Sequence, residues 1–428
     1  MKFLVVLASA ALVCAQPPAV DIASQPDSPV ASEDGNASQD ANVNSRYTVE
    51  SVRLLNMRRY HLSRSLLDDM QRLVGARFST DAFQKMAQRM SSELHGYQVV
   101  FKLARGTQPG HIRVTFEVKG PENGFDIDMP MGLYNSKQGW SGEGDATIRI
   151  GANEFLFGAL SDGDSFVERA SGIRARYDRV AVGSDRVRIG FEYDAFHDEY
   201  NAATLLAVGE TEPTAALYRT RQNFEPSASI AIAGPLTWTV GLSFERLQPW
   251  TADAPVESSN AVVSSLAYRH EWTDAAQNKH RFDAVYRLRA ATTVLGAAYA
   301  YTKHVVDVGY HWRRGRQTVD GAFEAGAILG QAPVFDRFVL GTSTALRGWN
   351  KFDLDPLGGT RVVYGSAGYG YRMVRTFFDS GAVWDRTRRA EAKQSAGVGV
   401  KVEGVLLAVA FPLRNDRVEP VFIAGMNF

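Results

Sequence analysis

From about Gln138 to its end the chain carries no helical repeat and alternates apolar with polar residues at a period of two. That period belongs to strands with one apolar face. Between Arg186 and Phe196, Val187, Ile189, Phe191, Tyr193 and Ala195 face one way. Arg186, Arg188, Gly190, Glu192 and Asp194 face the other. Between Leu236 and Glu245, Trp238, Val240, Leu242 and Phe244 oppose Thr237, Thr239, Gly241, Ser243 and Glu245. His280 to Arg289 and Val306 to Arg313 sort in the same way, so charges keep their parity strand after strand. A Lys or Arg on a lipid-facing wall costs roughly 2–4 kcal/mol at the bilayer midplane, which enforces such sorting. A soluble sandwich also alternates. Here the apolar face is Val, Leu and Ile with many Tyr, Trp and Phe, as lipid contact and interfacial girdles require.

Sixteen strands fit this region, with centres from about 143 to 424, including one near 297. An even count suits a bacterial barrel. The longest gap, from about Gly330 to Gly359, holds Leu346-Arg347-Gly348-Trp349. The chain ends Val421-Phe422-Ile423-Ala424-Gly425-Met426-Asn427-Phe428, an alternating strand whose edge needs a partner. Barrel closure supplies one, and in lipid it is nearly the only solution. A junction is therefore expected between the first strand, placed near Trp140 to Arg149, and the last. On the strand from Val374 to Asp385 the charged side must face the lumen, so Asp379 points inward.

Ahead of the barrel, residues 1–15 read as a secretory signal: Lys2, an apolar run from Phe3 to Val13, then Val13-Cys14-Ala15. Cys14 is the one cysteine, so cleavage after Ala15 leaves none for a disulfide. Residues 16–45, rich in Pro, Ser, Asp and Asn, are expected to form a disordered tether. Residues 46–120 read strand-helix-helix-strand-strand, with Ser63 capping one helix and Ser79 or Thr80 the next. Residues 121–428 are assigned to the barrel. Beyond the signal no stretch of about 18 apolar residues occurs to span a bilayer as a helix. Acids and bases balance at 47 each, which gives no argument for nucleic acid.

Several of these segments resemble one family. Leu340 to Trp349 resembles the long inward-folding loop of the bacterial surface antigen superfamily of outer-membrane barrels. That superfamily includes BamA-like and TamA-like assembly factors and two-partner-secretion transporters. Gly358-Gly359 resembles the glycine pair before the next strand, and Phe378-Asp379-Ser380-Gly381 with Trp384 resembles the strand signature that follows. Phe422, Gly425, Met426 and Phe428 resemble the terminal targeting strand. The order and length of 46–120 resemble one polypeptide-transport-associated (POTRA) domain, whose sheet edge can accept a client strand. One departure is clear: the family often has Glu-x-Arg after the loop, where this chain has Gly370-Tyr371-Arg372.

The resemblance implies a mainly β protein: a 16-stranded antiparallel transmembrane β-barrel preceded by one small α/β POTRA-like domain. It implies that the loop folds back into the lumen and that Arg347 pairs with Asp379. It also implies a bacterial outer membrane with the N-terminal domain in the periplasm, outer-membrane lipids and unfolded or partly folded polypeptide clients as partners, and assembly-machinery proteins as candidate partners. The function implied is insertion or translocation of polypeptides. The alternative is a passive pore or structural barrel. No enzyme, cofactor or metal is expected. The eight histidines are scattered with no His-Glu-x-x-His spacing, and Gly341-Thr342-Ser343-Thr344-Ala345 only half resembles a nucleophile elbow.

Overall fold

The computed structural model describes residues 46–55, 62–94, 97–119, 123–163, 168–184, 186–211, 217–251, 253–274, 276–342, 344–385, 389–414 and 419–426. The signal, the tether, Ser343 and Phe428 lie outside them.

The first elements are β1 (Thr48–Leu54), α1 (Arg64–Arg72), α2 (Thr80–Glu93), β2 (Gln98–Arg105) and β3 (His111–Lys119). Ser63 and Ser79 cap the two helices, their hydroxyls accepting from Leu66 N at 3.2 Å and Ala82 N at 3.4 Å. The helices bury Leu66, Phe83, Met90 and Leu94 against Val114 and Phe116 of a three-stranded sheet. Its order is β1-β3-β2, with β1 parallel and β2 antiparallel to the central strand. Both β1 and β2 are therefore edges among the described residues.

The barrel begins with β4 (Gly124–Asn135), β5 (Gly139–Ile150), β6 (Asn153–Asp162), β7 (Arg169–Arg179) and β8 (Val187–Glu199). After α3 (Ala202–Thr211) come β9 (Tyr218–Ala233), β10 (Leu236–Pro249), the two-residue β11 (Glu257–Ser258) and β12 (Ala261–Thr273). Then follow β13 (Lys279–Ala291), β14 (Tyr301–Arg314), β15 (Gln317–Gly330) and β16 (Arg361–Tyr371). The wall ends with β17 (Val374–Trp384), β18 (Lys393–Val402), β19 (Val405–Pro412) and β20 (Val421–Met426). Counting β11 with β12 as one stave, sixteen antiparallel strands close when β20 pairs with β4. Five connections at one end (151–152, 234–235, 315–316, 372–373 and 403–404) have two residues, while the opposite end carries the long ones, such as 200–217 and 331–360. Short turns at one rim and long loops at the other are the outer-membrane pattern.

Parity separates the two faces as the sequence requires. Trp238, Val240, Leu242 and Phe244 are exposed on the outside, while Ser243 and Glu245 on the same strand are buried within. Asp178, Asp194, Asp198 and Asp379 are buried on the lumen side too.

Two strand assignments need correction. The first strand is β4, not the segment near Trp140, which is β5. Phe125, Ile127 and Met129 do alternate outward, but Pro130 and Gly132 mask the pattern. Pro130 is tolerated because the ladder slips between Asp128 and Met131, and proline sits well at such a bulge. The strand expected near 297 is absent. Thr293–Leu295 is a turn of 3-10 helix capped by the Thr292 hydroxyl, and Gly296 closes it at φ +77°. The two errors cancel in the count.

Phe323 faces outward in the middle of β15, and its neighbour Ala322 lines the lumen. Phe323→Arg should lower the folding free energy in phosphocholine vesicles by roughly 2–4 kcal/mol. Ala322→Arg should cost a small fraction of that. Equal losses in urea titrations would contradict the assignment of faces.

Candidate functional site

The 331–360 connection leaves β15, turns inward and crosses the lumen before entering β16. Its neck is closed by Phe338 and Gly359, whose amides donate to each other's carbonyls at 2.9 Å. Glycine is required at 359, since a Cβ there would stand 2.8 Å from the Trp384 backbone. Beyond the neck, Leu340, Leu346 and Trp349 are buried among Ile328, Val362 and Tyr364 of the wall. The tip is a tight turn: Leu346 has φ +56° and Gly348 φ +95°, and Trp349 N donates to Leu346 O at 3.3 Å. A Cβ on Gly348 would press on Ala410 and Pro412 of β19 at 3.3 Å, so the tip lies directly on that strand.

Arg347 projects from this turn onto β16 and β17. Its Nε donates to Asp379 Oδ2 at 2.9 Å and its Nη2 to Oδ1 at 2.7 Å. Its backbone amide donates to the same Oδ2 at 3.0 Å. Nη2 also donates to Ser366 Oγ at 3.0 Å, and that hydroxyl donates to Asp379 Oδ1 at 2.7 Å. The guanidinium lies 3.6 Å from the centre of the Phe377 ring. Asp379 has no solvent exposure. A carboxylate so placed must be paired, and a forked cation with an aromatic face beneath it is the strongest partner available. Gly397 makes this possible: a Cβ there would lie 2.1 Å from the Phe377 ring, which therefore rests directly against β18.

Trp349 fixes the next position. Its indole N–H donates to Gln394 O at 2.8 Å, and Arg414 and Lys393 lie over its ring at 4.4 and 5.4 Å. A second cluster holds the outgoing limb. The Asp336 carboxylate accepts from the Tyr301 hydroxyl, stands 3.4 Å from Lys303 Nζ and lies 3.5 Å from Arg289 Nε. Arg289 is itself held by Glu245 at 2.7 Å and Ser243 at 2.8 Å.

The structure thus brings together Leu346, Arg347, Gly348, Trp349 and Asp379, with Gly381 packed under Leu340. Trp384 contributes its backbone at the loop neck, while Phe378 and Phe422 face outward, away from the loop. Gly425 and Met426 pair with Leu133 and Gly132 at the closing junction. Sequence reasoning did not find Phe377, Ser366 or Gly397 as parts of the site, nor the Asp336 cluster. Cross-strand register was the missing signal, because Phe377 pairs with Gly397 and Ser366 with Asp379. At the departure noted above, a side chain on Gly370 would collide with the Arg375 guanidinium at 2.7 Å. Arg375 instead donates to the carbonyls of Arg372 and Val374 at 2.8 and 3.0 Å.

A closed sixteen-stranded barrel with its longest loop docked inside defines an outer-membrane class. Residues 171–414 match the model of the Omp85 superfamily domain, over more than half of the chain, and the protein belongs to that superfamily. Among solved structures it is similar to BamA from Haemophilus ducreyi lacking POTRA domains 1-3, with TM-score 0.55 and 13% identity over 89% of this chain and 84% of that one. It is also similar to CdiB from Acinetobacter baumannii, with TM-score 0.56 and 11% identity over 89% and 74% of the two chains. CdiB from Escherichia coli gives TM-score 0.52 and 12% identity over 89% and 76%. At these identities the likeness concerns the fold. No curated protein matches the sequence.

Asp379→Asn keeps the shape but removes the charge beneath Arg347. Breaking a buried pair from one side costs about 3–5 kcal/mol, so the loop should become cleavable by trypsin at Arg347 or Lys351 in the folded barrel. Gly397→Val should expose the same sites by displacing the Phe377 ring. Continued protection in both variants would show that this contact does not hold the loop.

Proposed function

We propose that the protein inserts other polypeptides into the outer membrane or passes them across it. The N-terminal α/β unit, read as a POTRA-like domain in the periplasm, would offer β1 or β2 as an edge for an incoming strand. The barrel would then receive the client near its closing junction, using strand pairing and local disturbance of the lipid rather than nucleotide energy. The observation that carries this reading is the loop docked on Asp379 inside a barrel of this superfamily. A passive pore is less well supported, because the loop and its buried side chains occupy the lumen that a wide channel needs.

The decisive variant is Arg347→Ala. It should still fold into vesicles as a barrel, seen by heat-shifted mobility on gels, yet lose most of its ability to insert an unfolded strand-rich client. Full activity in that variant would remove the mechanism. Photo-crosslinkers at Arg53 and Lys102, exposed positions on the two edge strands, should trap polypeptides in cells. Trapping of none would count against a client edge.

A further inference from the structure

The junction of β4 and β20 is thin. Four residue pairs join the two strands among the described residues, from Ile423–Asn135 to Met426–Gly132, against thirteen between β13 and β14. Ser136 adds two hydrogen bonds at one end: its amide donates to Phe422 O at 2.9 Å and its hydroxyl accepts from Phe422 N at 3.1 Å. So short a ladder is supported from elsewhere, and the lumen loop touches the wall on both sides of it.

On the last-strand side the loop is held by Arg347 on β17, Trp349 on β18 and Gly348 on β19, as described above. On the first-strand side the Gln138 amide, in the β4–β5 turn, donates to Gly341 O. The Lys351 ammonium pairs with Glu168, just before β7, and both side chains are mostly buried. Asp353 reaches both sides at once. Its carboxylate lies 2.7 Å from Arg414, beyond β19, and 4.0 Å from Lys137, in the β4–β5 turn. Asn350 sets its position through a capping box, the Asn350 amide donating to Asp353 Oδ2 at 3.1 Å.

We propose that the described residues of the loop between Gly341 and Asp353 form a strap across the β4–β20 junction, fastened to the first strands by Lys351–Glu168, Gln138 and Asp353. When the junction parts, this end releases while Arg347 stays on Asp379. The proposal rests on the reading that the junction opens to admit polypeptides. The two ends differ in strength. The last-strand end has a fully buried carboxylate, a forked cation and an aromatic face, and stripping one partner from such a pair is expensive. The first-strand end has one neutral hydrogen bond, a long contact between partly exposed charges and one ion pair. The long Lys137–Asp353 contact is of the kind that contributes about 0–1 kcal/mol, and Lys351–Glu168, though mostly buried, is a single contact without a fork or an aromatic face. Glu168 also tolerates the loss of Lys351. Its carboxylate accepts from Thr204 Oγ1 at 2.8 Å and from Asn201 N at 3.4 Å, so it keeps partners in the β8–β9 connection.

The test uses pairs of spin labels in the full chain, folded in lipid vesicles with no client present. One pair, at Tyr134 and Val409, spans the junction on the outer face. A second, at Thr344 and Ser380, reports the loop tip against β17. Lys351→Glu alone and Glu168→Lys alone should each broaden the junction distances toward longer values. The double exchange should restore the narrow distribution. Gln138→Ala, which changes no charge, should broaden it less. The tip pair should stay narrow throughout. The strap is wrong if single reversals leave the junction unchanged, if the double exchange does not restore it, or if the tip loosens as much as the junction. Because no client is involved, failure of polypeptide insertion leaves this result standing, and failure here leaves insertion to be judged separately.

Discussion

Asp379 has no contact with solvent, and its carboxylate is compatible with the fold because Arg347 meets it with three N–H groups, one of them from the backbone. Burying an unpaired carboxylate would cost several kcal/mol, so wall and loop define each other. The wall supplies the acid, the ring of Phe377 and the hydroxyl of Ser366. The loop supplies a turn with left-handed residues on both sides of Arg347, which aims the side chain and the main-chain N–H at the same oxygen. A lysine could deliver the charge but not the fork. From this contact the rest of the loop follows, since it sets Gly348 on β19 and Trp349 on β18.

The barrel itself depends on a different economy of hydrogen bonds. Lipid satisfies no backbone polar group, so the sheet must close, and a closed sheet has no free edge. Here closure is achieved with very few pairs among the described residues. A loop anchored firmly on one side and lightly on the other can hold such a joint without making it permanent. The side-chain network around Asp336 and Arg289 anchors the outgoing limb on β10, β13 and β14, far along the wall from that joint. The loop is thus tethered at its root, pinned at its tip and clipped on its return.

Much of this was legible in the sequence, for a physical reason. Lipid punishes misplaced charge at every turn of the pleat, so the parity of residues such as Glu192, Arg287 and Asp379 reports their face without knowledge of the fold. Strand ends and breaks are less constrained. Pro130 and Gly132 hid β4, because a bulge beside the junction can absorb residues that a central strand rejects. A strand is expected near 297, but the Thr292 cap and Gly296 make the preceding segment a turn. The site was half readable. Arg347 and Asp379 carry a motif, whereas Phe377 over Gly397 exists only through register between hairpins, and Asp336 meets groups from segments far apart in the chain.

The central claim is that Arg347 and Asp379 act as one unit in docking the loop. A double-mutant cycle with Arg347→Ala, Asp379→Ala and the pair, read by hydrogen exchange of loop amides in vesicles, measures that coupling directly. Residues in one buried network couple by about 0.5–3 kcal/mol, and the upper half of that range is the expected result. Strictly additive single effects, with no coupling, would contradict it.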